Sequence, residues 1–86
     1  MKMHSLNLSQ EISHNVAALT SFWMEELKVK EVDIEQSIFE QGGNSMQIVY
    51  LHSILKDEMD LNVEIADLFI YSTVLSLAEF ITGKHM

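Results

Sequence analysis

Leu8, Ile12, Val16, Leu19, Trp23 and Leu27 recur at intervals of four and three residues, the spacing that lines one stripe of an α-helix. The stripe predicts a first helix over about residues 8 to 28, with Asn7 as its cap and Gln10 three residues further on. Nowhere do apolar and polar residues alternate for long enough to make a sheet, so helices must build the core. At 86 residues that core belongs to one domain with a single small interior. Such a chain is too short to frame a deep cleft between two layers, which argues against most enzymes. Apolar residues at 48% and charged residues at 21% suit a folded domain and are too apolar for a disordered one.

A second helix is expected from about Ser45 to Met59. At about 100° per residue, Ile48, Leu51, His52, Leu55 and Met59 gather on one side, and Met46, Val49, Tyr50 and Ser53 on the other. One face serves the core; the apolar tip near Ser45 is left to water or a partner. A turn and a short third helix follow, around Ile65 to Ile70. The last helix is expected from about Ser72 to Thr82, with Val74, Leu77, Ala78 and Ile81 on its stripe, Ser72 as cap and Gly83 as stop. Residues 28–44 carry no sustained period. There Asp33 and Gln36 start one short turn, and Val29, Val32, Ile34, Ile38 and Phe39 pin the loop to the core. The expected architecture is an all-α bundle of three main helices and one short one. Residues 1–86 read as a single domain with a core over about 8–82 and linker or appended residues at the ends.

Five Lys plus Arg against thirteen Asp plus Glu give a formal net charge of -8. Between Glu31 and Asp67, nine acids face one base, Lys56, so this stretch alone accounts for the imbalance. A polyanion is repelled by such a surface, which excludes nucleic acid and anionic membrane and favours a protein with a basic face. By default these acids form a solvated face, and steering a basic partner is their secondary role. No cysteine is present, hence no disulfide, thiolate nucleophile or cysteine metal site, which fits a reducing cytosol. The opening "MKMHSLNLSQ" lacks the apolar region of a secretory signal and no run reaches membrane-spanning length, so a cytoplasmic location is expected.

The stretch "FEQGGNSMQIVYL" places two of the chain's three glycines directly ahead of Ser45. A serine nucleophile needs a base within hydrogen-bond reach. His52, seven residues along the same helix, lies about 10 Å away at 1.5 Å per residue. The G-x-S-x-G elbow is also missing, since Gln47 occupies its last position and no strand precedes the serine. Alternatively Ser45 is a substrate: Gly42 and Gly43 present no side chain, permit φ > 0 and let a second protein approach the hydroxyl. The N–H groups and positive dipole end of the helix then favour a phosphate attached there. A third reading is that Gly42 and Gly43 end a loop and Ser45 only caps a helix.

Four segments in order and spacing resemble the phosphopantetheine-dependent carrier domains, peptidyl carriers of nonribosomal peptide synthetases and acyl carriers of polyketide synthases. They are "WMEELKV", "SIFEQGGNSM", "VEIADLF" and "STVLSLAEFI", spanning about Trp23 to Ile81. The resemblance implies an acyl-carrier-protein-like bundle with Ser45 as the attachment serine and Gly42, Gly43 and Asn44 as the attachment loop. It implies covalent 4′-phosphopantetheine, donated by coenzyme A through a phosphopantetheinyl transferase that brings its own base and magnesium. The arm's thiol would hold aminoacyl, peptidyl or acyl thioesters for adenylation, condensation, ketosynthase, acyltransferase or thioesterase domains. The domain would itself catalyse nothing and, in isolation, be a monomer. Met46 and Val49, one and four residues after the serine, would dock on partners, with Ile65 and Ala66 on the same surface; methionine adapts to several such surfaces.

Some positions depart from the family. Glu64 and Ser72 stand where proline is frequent, so both inter-helix turns are expected to be looser, although serine can cap the fourth helix. Gln41 replaces a usual leucine and is expected to weaken packing ahead of the site. Asn44 stands where Asp or His is common and leaves peptidyl against acyl open, while the double glycine leans to the peptidyl type. Asp60 to Glu64 imitates a calcium loop, but Ile65 and Tyr71 occupy positions that need glycine and glutamate. His4, His14, His52 and His85 are not at metal-ligand spacing, so no metal is expected, and His52 reads as a boundary residue with its polar edge exposed. A plain helical docking module and a small hydrolase are the readings from other functional classes.

Overall fold

A computed structural model describes residues 8–85 of the chain. Four helices follow one another: α1 (Leu8–Leu27), α2 (Ser45–Asp57), α3 (Ile65–Ile70) and α4 (Val74–His85), with no strand among the described residues. α1 lies along α4, and α3 packs against α2. The expected Asn7 cap of α1 lies outside the described residues.

The stripes become the core. Leu19 and Trp23 from α1 meet Ile48, Leu51 and Leu55 from α2, Leu68 from α3, and Val74, Leu77, Ala78 and Ile81 from α4, all buried. Each buried Leu, Ile or Val among them contributes about 1.5–3 kcal/mol by leaving water. Leu8, counted on the α1 stripe, is the first described residue of the helix and is 50% exposed instead. At the far end of α4, Asn15 donates Nδ2–H to Thr82 Oγ1 at 2.9 Å, and the buried Thr82 hydroxyl donates to Ala78 O at 2.7 Å. That polar group is therefore satisfied inside the α1–α4 seam.

Helix ends differ from expectation at three places. α2 stops at Asp57, two residues early, and Met59 faces solvent. Asp60 adopts a left-handed conformation (φ 54°), which turns Leu61 back into the core with its N–H on Leu55 O at 2.9 Å. Asp57, Glu58 and Asp60 at the negative end of the helix dipole also oppose further winding. α4 is capped by Thr73, not Ser72: Ser76 N–H donates to Thr73 Oγ1 at 3.0 Å, and Thr73 N–H returns to Ser76 Oγ at 3.3 Å. The Ser72 carbonyl instead accepts Ile38 N–H at 2.8 Å. Gly83 does not stop α4, which winds through it to His85 with open space where a Cβ would stand.

The loop between α1 and α2 is tied down on both sides. Lys28, left-handed at φ 57°, ends α1 and lets Val29 N–H reach Met24 O at 3.1 Å. Ile38 is buried, Val32, Ile34 and Phe39 are partly so, and Val29, expected to pin the loop, is exposed. Leu75 N–H, an otherwise unpaired donor in the first turn of α4, is taken by Ile34 O at 3.0 Å. The loop thus helps to cap a helix 40 residues away in sequence, which explains how it stays ordered without periodic structure.

Candidate functional site

The approach to Ser45 is a wound turn. Ile38 O accepts from both Gln41 N–H (3.1 Å) and Gly43 N–H (2.9 Å), and Phe39 O accepts from Gly42 N–H at 3.3 Å. The two glycines have different reasons. Gly42 takes φ 108°, a conformation that side chains resist. Gly43 passes so close to the turn that a Cβ would stand 2.9 Å from Ile38 O and 3.3 Å from Ile38 Cγ2. At Gly43 the missing side chain therefore serves packing within the chain rather than access by a second protein.

Gln41 does the opposite of loosening this turn. Its Oε1 accepts from Asp33 N–H at 2.9 Å, and its Nε2 donates to Asp33 O at 2.8 Å and Gln36 O at 3.0 Å. Asp33 Oδ1 in turn accepts from Glu35 N–H at 2.9 Å, and Gln36 N–H reaches Asp33 O at 3.4 Å, forming the expected short turn. A leucine there would fill space; the glutamine fastens one end of the loop to the other. Glu64 likewise tightens its turn, since its N–H, which proline would lack, donates to Asp67 Oδ2 at 3.0 Å.

Asn44 caps α2 from extended backbone (φ -137°, ψ 172°). Its Oδ1 accepts from Gln47 N–H at 2.9 Å, and Gln47 Oε1 accepts from Asn44 N–H at 3.0 Å, a reciprocal capping box. Ser45 is the first helical residue, exposed, and its hydroxyl bonds to no described residue. It faces outward at the positive end of a 13-residue helix. His52 is no base for it: Nε2 sits 2.8 Å from Val63 O, so that nitrogen carries the proton and donates to the connection before α3. The His52 polar edge is thus bonded inward rather than exposed. Among the described residues, no three His, Asp or Glu side chains group as a metal site, and no helix is long and apolar enough to cross a membrane.

Exposed apolar side chains follow Ser45 on α2 and recur on α3. Met46 is 77% exposed, Val49 and Ile65 are also exposed, and so is Ala66. Phe69 and Ile70, not singled out in the sequence, join them, and the Phe69 ring stacks on Phe39 of the preceding loop at 5.7 Å between centroids. The signal was there: with Leu68 as the buried residue of α3, Ala66 and Ile70 fall about 160° away at 100° per residue.

A phosphodiester on serine needs an accessible, unengaged hydroxyl and is favoured by helix-end N–H groups; Ser45 is exposed, bonds to no described residue through its hydroxyl and opens α2. The family model for the phosphopantetheine attachment site matches residues 17–81, well over half of the sequence. The chain belongs to the phosphopantetheine attachment family. It is a carrier domain of the kind found in nonribosomal peptide and polyketide assembly lines, where 4′-phosphopantetheine is held covalently and the domain is a tether rather than a catalyst. It is 36% identical over 59 residues to polyketide synthase PksN of Bacillus subtilis (strain 168), covering 69% of this chain and 1% of that protein. It is 30% identical over 69 residues to gramicidin S synthase 2 of Brevibacillus brevis, covering 80% of this chain and 2% of that protein. The carrier domain therefore spans only a small fraction of these relatives. In fold it is similar to a free-standing peptidyl carrier protein from Acinetobacter baumannii, at a TM-score of 0.82 and 22% identity over 93% of this chain and 100% of that one.

Proposed function

We propose that Ser45 is the residue to which 4′-phosphopantetheine is attached, and that the loaded domain passes aminoacyl, peptidyl or acyl groups between enzymes of a nonribosomal peptide or mixed peptide–polyketide line. The observation that carries this is the exposed, unbonded Ser45 hydroxyl on the first residue of a capped helix, within the family-matched segment. In the transfer, the Ser45 oxygen bonds to the β-phosphorus of coenzyme A. The phosphoanhydride bond to adenosine 3′,5′-bisphosphate breaks, and the hydroxyl proton leaves to a base. With His52 held on Val63 O, that base belongs to the transferase, together with magnesium. The arm supplies a terminal thiol on which cargo is carried as a thioester. Gly42, Gly43 and Asn44 form the attachment loop, and Met46, Val49, Ile65 and Ala66 the partner surface, which is exposed throughout.

The partners by this reading are a phosphopantetheinyl transferase and adenylation, condensation, ketosynthase, acyltransferase or thioesterase domains, met in the cytoplasm by a monomeric domain spanning about residues 8–82. The match to a polyketide synthase gives weight to a second reading, an acyl carrier. Incubation with coenzyme A, magnesium and a broad-specificity transferase is expected to add one phosphopantetheine to the intact mass, and Ser45→Ala to abolish the addition. An unmodified parent protein would point to a plain docking module; ester hydrolysis by the parent, lost in Ser45→Ala, would point to a hydrolase.

A further inference from the structure

We infer that Gln47 is a positioning residue for the modification of Ser45, an inference that rests on the attachment reading. Three of its atoms are bonded. Its N–H donates to Asn44 Oδ1 at 2.9 Å, its Oε1 accepts from Asn44 N–H at 3.0 Å, and its Nε2 donates to Glu26 O at 3.2 Å. The first two bonds close the cap around Ser45. The third crosses to the last turn of α1, where carbonyls lack helical partners.

The first turn of α2 has few other restraints. Its buried stripe begins at Ile48, while Ser45 and Met46 are both exposed. Gly42 and Gly43 upstream offer no side chain to pack, and α1 and α2 have little backbone contact elsewhere. Without the Gln47 carboxamide, the turn carrying the nucleophile would keep the Gln47 N–H bond to Asn44 Oδ1 but lose the return bond from Asn44 N–H and the tie to Glu26 O, and would fray more readily, as helix ends do. Displacing a reacting atom by about 1 Å can cost on the order of 100-fold in rate. Gln47 is half-buried and keeps the Ser45 oxygen on one vector relative to α1, so that a docked enzyme meets it in line.

The test is the steady-state rate of phosphopantetheine addition, followed by intact mass, together with amide exchange of the unmodified protein. Gln47→Ala is expected to lower kcat about tenfold and leave KM within about twofold, since the apolar docking side chains are untouched. The amides of residues 47 and 48, which donate to Asn44 Oδ1 and Asn44 O, should exchange faster while core amides keep their protection. Gln47→Glu retains the acceptor for Asn44 N–H but loses the donor to Glu26 O, and it should lower kcat too, which separates the cross-helix tie from the cap. Asn15→Ala, which breaks the remote bond to Thr82, is the control for stability alone: a lower melting temperature with unchanged kcat. A folded Gln47→Ala or Gln47→Glu with parental kcat and exchange overturns the inference, as does an equal loss of rate in Asn15→Ala. Failure of the parent to gain mass strikes the Ser45 assignment instead, and faster exchange of the amides of residues 47 and 48 in the variants would still report the positioning role.

Discussion

Gly43 and Gly83 are the same residue type under opposite physical demands. A methyl group at Gly43 meets the backbone carbonyl of Ile38 at 2.9 Å, and that oxygen is already fixed by two N–H donors, so it cannot withdraw cheaply. A methyl group at Gly83 meets nothing within 4 Å, in a residue that is helical. Gly43→Ala is expected to destabilise the domain by about 1–3 kcal/mol, the usual cost of overpacking a tight site. Gly83→Ala should stabilise it by about 0.5 kcal/mol through reduced freedom of the unfolded chain. Urea midpoints measured on both variants check the pair, and a loss of stability in Gly83→Ala would contradict the open surroundings of that position.

The α1–α2 loop is an element built from side-chain clasps rather than from periodic backbone bonds, and Gln41 is its main fastening. Each of the three Gln41 bonds is a neutral one near water, worth about 0.5–1.5 kcal/mol at most. Because the freed groups can be rehydrated, Gln41→Ala should cost only about 1–2 kcal/mol in total. The local effect should exceed the global one: the Asp33 amide, which donates to Gln41 Oε1, is expected to lose its exchange protection while the amides of α1 and α4 keep theirs. The helices were legible because their apolar stripes are local patterns; α1 (Leu8–Leu27) and α3 (Ile65–Ile70) fall within a residue of the expected 8 to 28 and 65 to 70. The start of α4 was not, since Ser72 and Thr73 are both capping types and the choice was made by Ile38 N–H claiming the Ser72 carbonyl. Gln41 and His52 were misread and Gln47 was missed for the same reason: each bonds to backbone brought near by folding, 5 to 21 residues away, and no spacing rule encodes that. Ser45 stood out as a candidate because its element starts beside a Gly-Gly-Asn turn, which is local chemistry, while the attachment role proposed for it came from the resemblance of four segments.

At the scale of the molecule, an acidic domain presents exposed apolar side chains directly after Ser45, with Met46 the most exposed large apolar residue among those described. The two properties act at different ranges. Net charge of -8 attracts a basic enzyme over about a Debye length, roughly 10 Å at 0.1 M salt, while Met46 acts only on contact. Met46→Asp discriminates between them because it adds to the attractive charge while removing the apolar contact. At 77% exposure the side chain supports little of the fold, so far-ultraviolet circular dichroism should be unchanged and stability should move by no more than about 0.5 kcal/mol. Transfer of phosphopantetheine to Met46→Asp should nevertheless fall about tenfold, the loss of about 1.4 kcal/mol expected when one central apolar contact is replaced by a solvated carboxylate. Raising the salt concentration should slow parent and variant by similar factors, since both keep the acidic stretch between Glu31 and Asp67. If Met46→Asp is instead modified as fast as the parent or faster, charge alone brings the enzyme to Ser45, and the exposed apolar side chains must belong to partners that act after the arm is in place.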